Sequence, residues 1–256
     1  MTASLRVVVV YPDLLGTYGD GGNGLILARR AEWRGYAVEL IEARSDQPLP
    51  AADLYCLGGG EDGPQVRAAG SLLDDGMLTR QVANGAAVLA VCAGYQIVGT
   101  TFPGAEGDAH DGVGLLDIST TKGSGPRAVG EVAGELTTEA MEVLAPTVPP
   151  TLTGFENHGG VTTLGSGVTA LARVTTGIGN GDGSGTEGAV AGRVLGTYLH
   201  GPVLARNPVL ADLLLGWALG AGGLAPLDDS AEEALRQERL GGSRPTSRRR
   251  RPWRPR

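Results

Sequence analysis

The first hundred residues alternate between short apolar runs and amphipathic segments, the order expected of a parallel α/β fold. A continuous apolar run bounded by glycine or proline predicts a strand buried on both faces, and a segment with 3.6-residue periodicity predicts a covering helix. The predicted elements are, in order, strand Leu5–Val10, helix 24–34, strand Ala37–Ile41, strand Asp53–Leu57, helix 64–84, and strand Ala86–Val91 leading into a helix.

Beyond Phe102 and Pro103 the pattern changes to strands separated by turns, with no internal repeat. Strand character is found in Val113–Thr121, Arg127–Leu136, Thr151–Glu156, Ala170–Val174 and Gly188–Tyr198. A polar glycine-rich loop over Gly177–Gly185 separates the last two of these strands.

The apolar run Ala86–Val91 ends abruptly at Cys92, which is followed by Ala93 and Gly94. A strand that turns sharply into a helix at this point would present the sulfur on top of a nucleophile elbow. The helix N-terminus favours thiolate over thiol, and the Ala93 amide would face the oxygen of a tetrahedral intermediate. A buried structural cysteine is the alternative, and a nearby base decides between the two readings.

Two glycine-rich segments follow predicted strands. Gly58-Gly59-Gly60 after the third strand would let backbone amides approach a ligand and supply a second oxyanion donor, although a tight turn explains it equally well. The loop over residues 11–24 contains neither GxGxxG nor GxxxxGK[ST], so no nucleotide site is predicted there.

The chain has three histidines, which are the candidates for a catalytic base. His110 lies in an acidic loop and is expected to be solvated. His158 stands between Asn157 and two glycines. His200 follows a predicted strand and precedes a turn, so it can reach the mouth of the sheet; a buried structural histidine remains the alternative reading for each.

Composition says little about the reaction, but it indicates a globular protein and the compartment in which it works. The 256 residues are 41% hydrophobic, and two cysteines, Cys56 and Cys92, do not make a disulfide framework. With no signal peptide before Leu5 and no apolar run long enough to span a bilayer, we expect a cytoplasmic protein.

The net charge of −7 conceals an acidic body and a basic tail. Residues 1–240 carry 14 basic and 28 acidic side chains, whereas residues 241–256 hold seven arginines and no acid. The tail has no apolar periodicity and is expected to be disordered and solvated; a role on nucleic acid or an anionic membrane is the alternative. We therefore divide the chain into a domain over residues 1–220 and an extension over residues 221–256.

Four motifs taken together are specific enough to indicate a protein family. They are Gly58-Gly59-Gly60, Cys92-Ala93-Gly94-Tyr95-Gln96, Gly154-Phe155-Glu156-Asn157-His158 and Gly196-Thr197-Tyr198-Leu199-His200-Gly201-Pro202. Over about residues 5–220 the chain resembles class I glutamine amidotransferases of the cobyric-acid-synthase (CobB/CobQ-like) type. With Tyr11–Asp20 included, it is similar to GatD, the small glutaminase subunits of lipid II isoglutaminyl synthases, which lack the ATPase domain that cobyric acid synthases carry.

This resemblance implies a three-layer α/β sandwich with a mainly parallel central sheet, the flavodoxin-like architecture of class I glutamine amidotransferases. It implies Cys92 as nucleophile and His200 as base and acid, with Ala93 and either Gly59 or Gly60 forming the oxyanion hole. Gln96 and Arg127 would hold the amino-acid end of glutamine. No metal or cofactor is expected in this chain.

Many class I glutaminases have a glutamate two residues after the histidine, but Pro202 stands there in this chain. The resemblance implies that a partner subunit completes the triad with a carboxylate. That partner is MurT, a Mur-ligase-like subunit that would bind ATP and Mg²⁺ and amidate D-glutamate of lipid II to D-isoglutamine, so that the heterodimer works at the inner face of the membrane.

Three other hypotheses stay open. A glutaminase component of another synthase, as in cobalamin biosynthesis, shares the cysteine and histidine and differs in its partner. A DJ-1-like cysteine hydrolase has a similar elbow, but the Gly-Thr-Tyr-Leu-His-Gly-Pro pattern is not expected there. An inactive scaffold that only binds a ligase is the non-enzymatic alternative.

Overall fold

A computed structural model describes residues 4–144, 151–221 and 223–242. In chain order the helices and strands are β1 Leu5–Val10, α1 Gly22–Glu32, β2 Val38–Ala43, β3 Leu54–Leu57, α2 Asp62–Asp75, α3 Met77–Ala83, β4 Ala87–Val91, α4 Ala93–Ile97, β5 Thr101–Pro103, β6 Ala109–Asp111, β7 Ile118–Lys122, β8 Ala128–Leu136, α5 Thr138–Leu144, β9 Thr151–His158, β10 Gly160–Leu164, β11 Ala172–Thr176, β12 Thr186–Glu187, β13 Ala189–Ala191, β14 Val194–Thr197, α6 Val203–Arg206, α7 Pro208–Leu219 and α8 Ser230–Gly242.

The central sheet has six strands in the order β13-β14-β4-β3-β1-β2, and all neighbours are parallel except the β13–β14 pair at one edge. Helices α1 and α7 pack on one face, and α4, with α2 against it, packs on the other. Strands β3 and β4 are buried along their whole length, which explains their unbroken apolar sequences. The predicted parallel α/β sandwich is confirmed.

Two four-stranded sheets flank the central sheet, in the orders β10-β7-β5-β6 and β12-β11-β8-β9. They are built mainly from antiparallel pairs, of which β8 with β9 is the longest. The segments around Arg127 and His158 lie side by side, because the first residue of β8 is paired with the last residue of β9, and Phe155 of β9 forms a bridge to His200 beyond β14.

Three predicted elements differ from the structure. The single helix over residues 64–84 is two helices, because Gly76 adopts a left-handed conformation (φ +62°) that ends α2. The single strand Gly188–Tyr198 is the hairpin β13–β14, which turns at Gly192. Of Val113–Thr121, only the part from Ile118 onward is a strand.

The ends of the chain are only partly described. Residues 230–242 form α8, whereas residues 243–256, which hold all seven tail arginines, lie outside the described residues. The disorder expected from about residue 241 therefore stays a prediction. No helix in the described part of the chain is both long and apolar enough to cross a bilayer.

Candidate active site

The site lies where the carboxyl ends of four parallel strands meet, the usual ligand position in an open α/β sheet. Cys92 directly follows β4, and Gly58–Gly60 directly follow β3. Asp20 comes from the loop after β1, and His200 stands three residues beyond β14. The topology thus gathers groups that are far apart in sequence.

Cys92 occupies a strained turn between β4 and α4. Its backbone has φ +54° and ψ −106°, and among the described residues Tyr11 is the one other non-glycine residue with positive φ. The Cys92 amide donates to the Thr197 carbonyl at 2.9 Å, and the Gly94 amide donates to the Gly58 carbonyl at 3.1 Å. These contacts with the neighbouring strands hold the predicted elbow in place.

The Ala93 amide is one of the unpaired donors of the first turn of α4, because α4 begins at that residue. Gly94 follows it in a crowded place: a Cβ there would lie 2.6 Å from the Leu57 Cβ. The small residues after Cys92 therefore allow the helix start to sit directly against β3.

His200 is fixed through both its backbone and its ring. Its backbone exchanges two hydrogen bonds with Phe155 of β9, at 2.9 and 3.1 Å. The ring atom Nδ1 lies 2.9 Å from Oδ2 of Asp20, and both side chains are buried. Because a carboxylate oxygen accepts hydrogen bonds, Nδ1 carries the proton and Nε2 is the atom left for Cys92.

Burial alone would lower the pKa of His200, but the hydrogen bond with Asp20 and the nearby Cys92 outweigh it and raise the pKa to about 10. Cys92 is thus close enough to act on the imidazole. Nε2 makes no aligned hydrogen bond within the described residues. Catalytic hydrogen bonds often align only when substrate is bound, so the pairing is consistent with an acid–base role.

Asp20 corrects an expectation drawn from Pro202. No carboxylate of this chain was expected to orient the histidine, yet Asp20 does so from the glycine-rich loop after β1. No local sequence pattern marks this pairing, since Asp20 and His200 are 180 residues apart and the loop contains no recognised motif. A further carboxylate from a partner subunit stays a prediction.

The two predicted oxyanion glycines differ in availability. The Gly59 amide donates to Oδ2 of Asp20 at 2.9 Å, so the prediction for Gly59 needs correction. A side chain at position 59 would also meet the rings of His200 and Tyr18, each at 2.9 Å. Gly60 and Ala93 both line the cavity beside Cys92, which leaves their amides as the candidate donors.

A cavity of about 330 Å³ opens next to Cys92, within the range of roughly 300–1,000 Å³ typical of small-molecule sites. Gln96 lines it and is held at both ends of its amide: its Oε1 accepts from Gln65 at 2.9 Å, and its Nε2 donates to the Tyr198 hydroxyl at 3.0 Å. Gln65, which the sequence analysis did not single out, is part of this wall.

Arg127 also lines the cavity. It is exposed and stands directly before β8. Its guanidinium donates to the side chain and backbone carbonyl of Asn157 at 3.0–3.2 Å, which orients it. The predicted Gln96 and Arg127 therefore share one cavity with the nucleophile. Their roles toward glutamine stay predictions.

The other two histidines are placed differently. His158 is buried in the cavity wall, where its ring stacks on Tyr198 with centroids 3.7 Å apart and its Nδ1 lies 3.0 Å from the Gly160 carbonyl oxygen. His110 lies in β6, half-buried against Phe102, and its Nε2 is 2.7 Å from Asp108. In the ranges 4–144, 151–221 and 223–242, no cluster of His, Cys, Asp or Glu could hold a metal ion.

Comparison with known proteins supports the same interpretation. A family model, the CobB/CobQ-like glutamine amidotransferase domain, matches residues 6–208. The chain is 33% identical over 232 residues to the GatD subunit of lipid II isoglutaminyl synthase (glutamine-hydrolyzing) from Staphylococcus aureus, covering 88% of this chain and 90% of that one. It is 32% identical to the GatD subunit from Streptococcus pneumoniae, with 84% and 80% covered.

More distant proteins share parts of the sequence or the fold. A cobyric acid synthase from Pelotomaculum thermopropionicum is 32% identical over 81% of this chain but only 39% of its own length. The structure of PurLQS from Thermotoga maritima superposes with a TM-score of 0.55 at 18% identity, covering 85% of this chain and 97% of that one. The Trypanosoma brucei CTPS glutaminase domain with bound acivicin superposes with a TM-score of 0.52 at 10% identity, covering 87% of this chain and 97% of that one.

The structural likenesses confirm the class I glutamine amidotransferase architecture, and the relatives confirm a glutamine-hydrolysing amidotransferase. The family model spans both the elbow and the histidine turn. The chain therefore belongs to the CobB/CobQ-like glutamine amidotransferase family.

Proposed function

We propose that this chain is the glutaminase subunit of a lipid II isoglutaminyl synthase. It hydrolyses glutamine and passes ammonia to a Mur-ligase-like partner, MurT, which amidates the D-glutamate of the peptidoglycan stem peptide to D-isoglutamine. The observation that carries the proposal is the identity of 32–33% to two GatD subunits over more than four fifths of the chain. The chain would act in the cytoplasm, at the membrane face where lipid II is presented.

In this mechanism the Cys92 sulfur attacks the side-chain amide carbon of glutamine, forming a C–S bond and a tetrahedral oxyanion. The amides of Ala93 and Gly60 donate to that oxygen, at a contribution of about 3–4 kcal/mol per donor in comparable sites. Nε2 of His200 first takes the proton of the Cys92 thiol, and it gives this proton to the departing nitrogen as the C–N bond breaks, so that ammonia leaves and the thioester forms. It then takes a proton from the water that hydrolyses the thioester to glutamate.

Asp20 keeps His200 in the tautomer that this sequence of proton transfers requires, because its carboxylate accepts from Nδ1. Arg127 is suited to the α-carboxylate of glutamine, since a guanidinium can make two parallel hydrogen bonds to it. ATP and Mg²⁺ belong to the partner in this proposal, where they activate the carboxylate that ammonia attacks.

Reconstitution tests the proposal. The chain is combined with a Mur-ligase-like subunit, ATP, Mg²⁺, lipid II and glutamine, and amidation of the stem peptide is followed by mass spectrometry. We expect amidated lipid II with the wild-type chain and none with Cys92→Ser. Ammonium chloride should restore the product with Cys92→Ser, because the ligase step does not use the thiol.

The proposal would be contradicted if the wild-type complex forms no product from glutamine although the same ligase forms product from ammonium chloride. The cobyric acid synthase relatives support one other acceptor class, a cobalamin precursor. A pull-down with the wild-type chain as bait distinguishes the two acceptors. Recovery of a Mur-ligase-like subunit supports the stem peptide, and recovery of a cobalamin-pathway synthase supports the cobalamin precursor.

A further inference from the structure

The charged side chains around the cavity are segregated by sign. Glu61 and Asp62, at the start of α2, supply negative charge, whereas Lys122 and Arg127, at the end of β7 and before β8, supply positive charge. Free glutamine is a zwitterion whose ammonium and carboxylate groups sit on one carbon. A cavity with both signs at its rim can bind both groups at once.

Tyr18 links this rim to the catalytic residues. Its hydroxyl donates to Oε1 of Glu61 at 3.1 Å, and its ring packs on the His200 ring with centroids 4.9 Å apart. Burial and Glu61 raise the pKa of the Tyr18 hydroxyl, while Arg127 lowers it and Cys92 raises it further. Glu61, Arg127 and Cys92, which line the cavity, therefore all act on the Tyr18 hydroxyl group.

We propose that Glu61 binds the α-ammonium group of free glutamine and so selects the free amino acid over glutamine whose amine is blocked. The inference rests on the glutaminase activity proposed above and assigns a specificity residue within that site. Arg127 takes the α-carboxylate, and the side-chain amide then extends toward Cys92.

Glu61 suits this role better than its neighbour Asp62. Tyr18 holds Oε1 of Glu61 in position, and within the described residues nothing engages Oε2, which remains for an incoming donor. Asp62 lines the cavity without such a tether. A carboxylate that is already oriented loses less conformational freedom on binding an ammonium group.

The test compares two probes that alkylate the nucleophile, 6-diazo-5-oxonorleucine and its N-acetyl derivative, on the full chain. Their rates of covalent attachment to Cys92 are measured by intact mass spectrometry, which needs no partner subunit. Glu61→Gln keeps an oxygen for Tyr18 but removes the charge. Asp62→Asn is the matched control at the adjacent position.

For wild type we expect faster labelling by the free probe than by the N-acetyl probe. Glu61→Gln should slow the free probe at subsaturating concentration by about 10- to 100-fold, the usual effect of losing a hydrogen bond to a charged group, and leave the N-acetyl probe unchanged. Asp62→Asn should change neither rate more than about twofold, as expected for an untethered surface charge.

Two results would overturn the assignment of Glu61 while leaving the glutaminase intact: an unchanged rate for the free probe in Glu61→Gln, or equal slowing of both probes. Failure of both probes to label wild type would overturn the proposed glutaminase and this assignment with it. Glu61 is exposed, so its variants should fold, and a thermal unfolding curve that matches wild type confirms this.

Discussion

At the scale of single residues, the fold brings together a cysteine, a histidine and an aspartate from the segments that follow three different strands, β4, β14 and β1. Asp20 is engaged twice, by Nδ1 of His200 and by the amide of Gly59, each at 2.9 Å. It therefore fixes both the tautomer of the base and the backbone of the glycine turn beside it. We interpret Asp20 as a positioning residue, since it acts through His200.

Replacing Asp20 with asparagine tests this interpretation. An amide can donate to Nδ1 and favour the wrong tautomer, so we expect kcat for glutamine hydrolysis to fall by about two to four orders of magnitude. Asp20 raises the pKa of His200, so the alkaline limb of the kcat profile should move to lower pH in Asp20→Asn. A steady-state pH series measures both effects.

Asp13, on the same loop and exposed, provides the matched control as Asp13→Asn. Its carboxylate bonds Ser45 and not the histidine, and its loss should leave the pH profile unchanged. A wild-type pH profile in Asp20→Asn would show that the orienting carboxylate comes from elsewhere, as first expected from Pro202.

At the scale of elements, the sequence predicted the middle of the central sheet well because β3 and β4 are buried on both faces. Strands β3 and β4 are continuous apolar runs that end in glycine or other small residues, and β1 is apolar apart from Arg6. The elbow at Cys92 was identifiable for the same reason. Periodicity could not show that Gly76 and Gly192 break longer elements, since their effect depends on backbone conformation.

Strand β12 ends in a buried acid, Glu187, that local sequence did not mark. Oε1 of Glu187 accepts from the Thr197 hydroxyl at 2.8 Å and from the Tyr198 amide at 2.7 Å, just before His200. Burial raises the pKa of Glu187 from 4.5 to about 7. Within the described residues its Oε2 has no hydrogen-bond partner, so ionisation has a cost.

A carboxyl group with a raised pKa binds more protons folded than unfolded between pH 4.5 and 7. Its contribution to folding stability is therefore lost as pH rises through that range, by about 1–3 kcal/mol. Urea unfolding at pH 5 and pH 7.5 should show a smaller pH difference for Glu187→Gln than for wild type. Glu135→Gln, on the exposed side of β8, should keep the wild-type difference. A wild-type difference in stability between pH 5 and pH 7.5 in Glu187→Gln would contradict this account.

At the scale of the whole molecule, the extension after residue 220 is tied to the domain by buried ion pairs. The guanidinium of Arg30 in α1 is almost fully buried and pairs with Asp212 of α7 and with Asp229 just before α8. Arg34 also binds Asp212 and the Ala225 carbonyl. Local sequence patterns do not show these contacts, because Arg30 and Arg34 lie nearly 200 residues before their partners Asp229 and Ala225.

Loss of Arg30 should loosen this attachment. Arg30→Met leaves Asp229 without its guanidinium partner and Asp212 with Arg34 alone, and because both carboxylates are partly exposed we expect a loss of about 1.5–3 kcal/mol in the free energy of unfolding. The chain should also be cut faster by proteases between residues 223 and 229. Arg29→Met, which removes an exposed pair with Glu32 on the same helix, should change stability by less than about 1 kcal/mol; equal effects of the two variants would contradict the attachment.

The most direct test of the central claim is to trap the thioester. The purified chain is mixed with glutamine, quenched in acid within the turnover time and digested, and the cysteine peptides are analysed by mass spectrometry. Burial raises the pKa of the Cys56 thiol to about 12, so Cys56 serves as the internal control. We predict a glutamyl adduct on Cys92 alone, with release of glutamate and ammonia that Cys92→Ala abolishes. Continued glutamate release by Cys92→Ala, or an adduct on Cys56, would contradict the account.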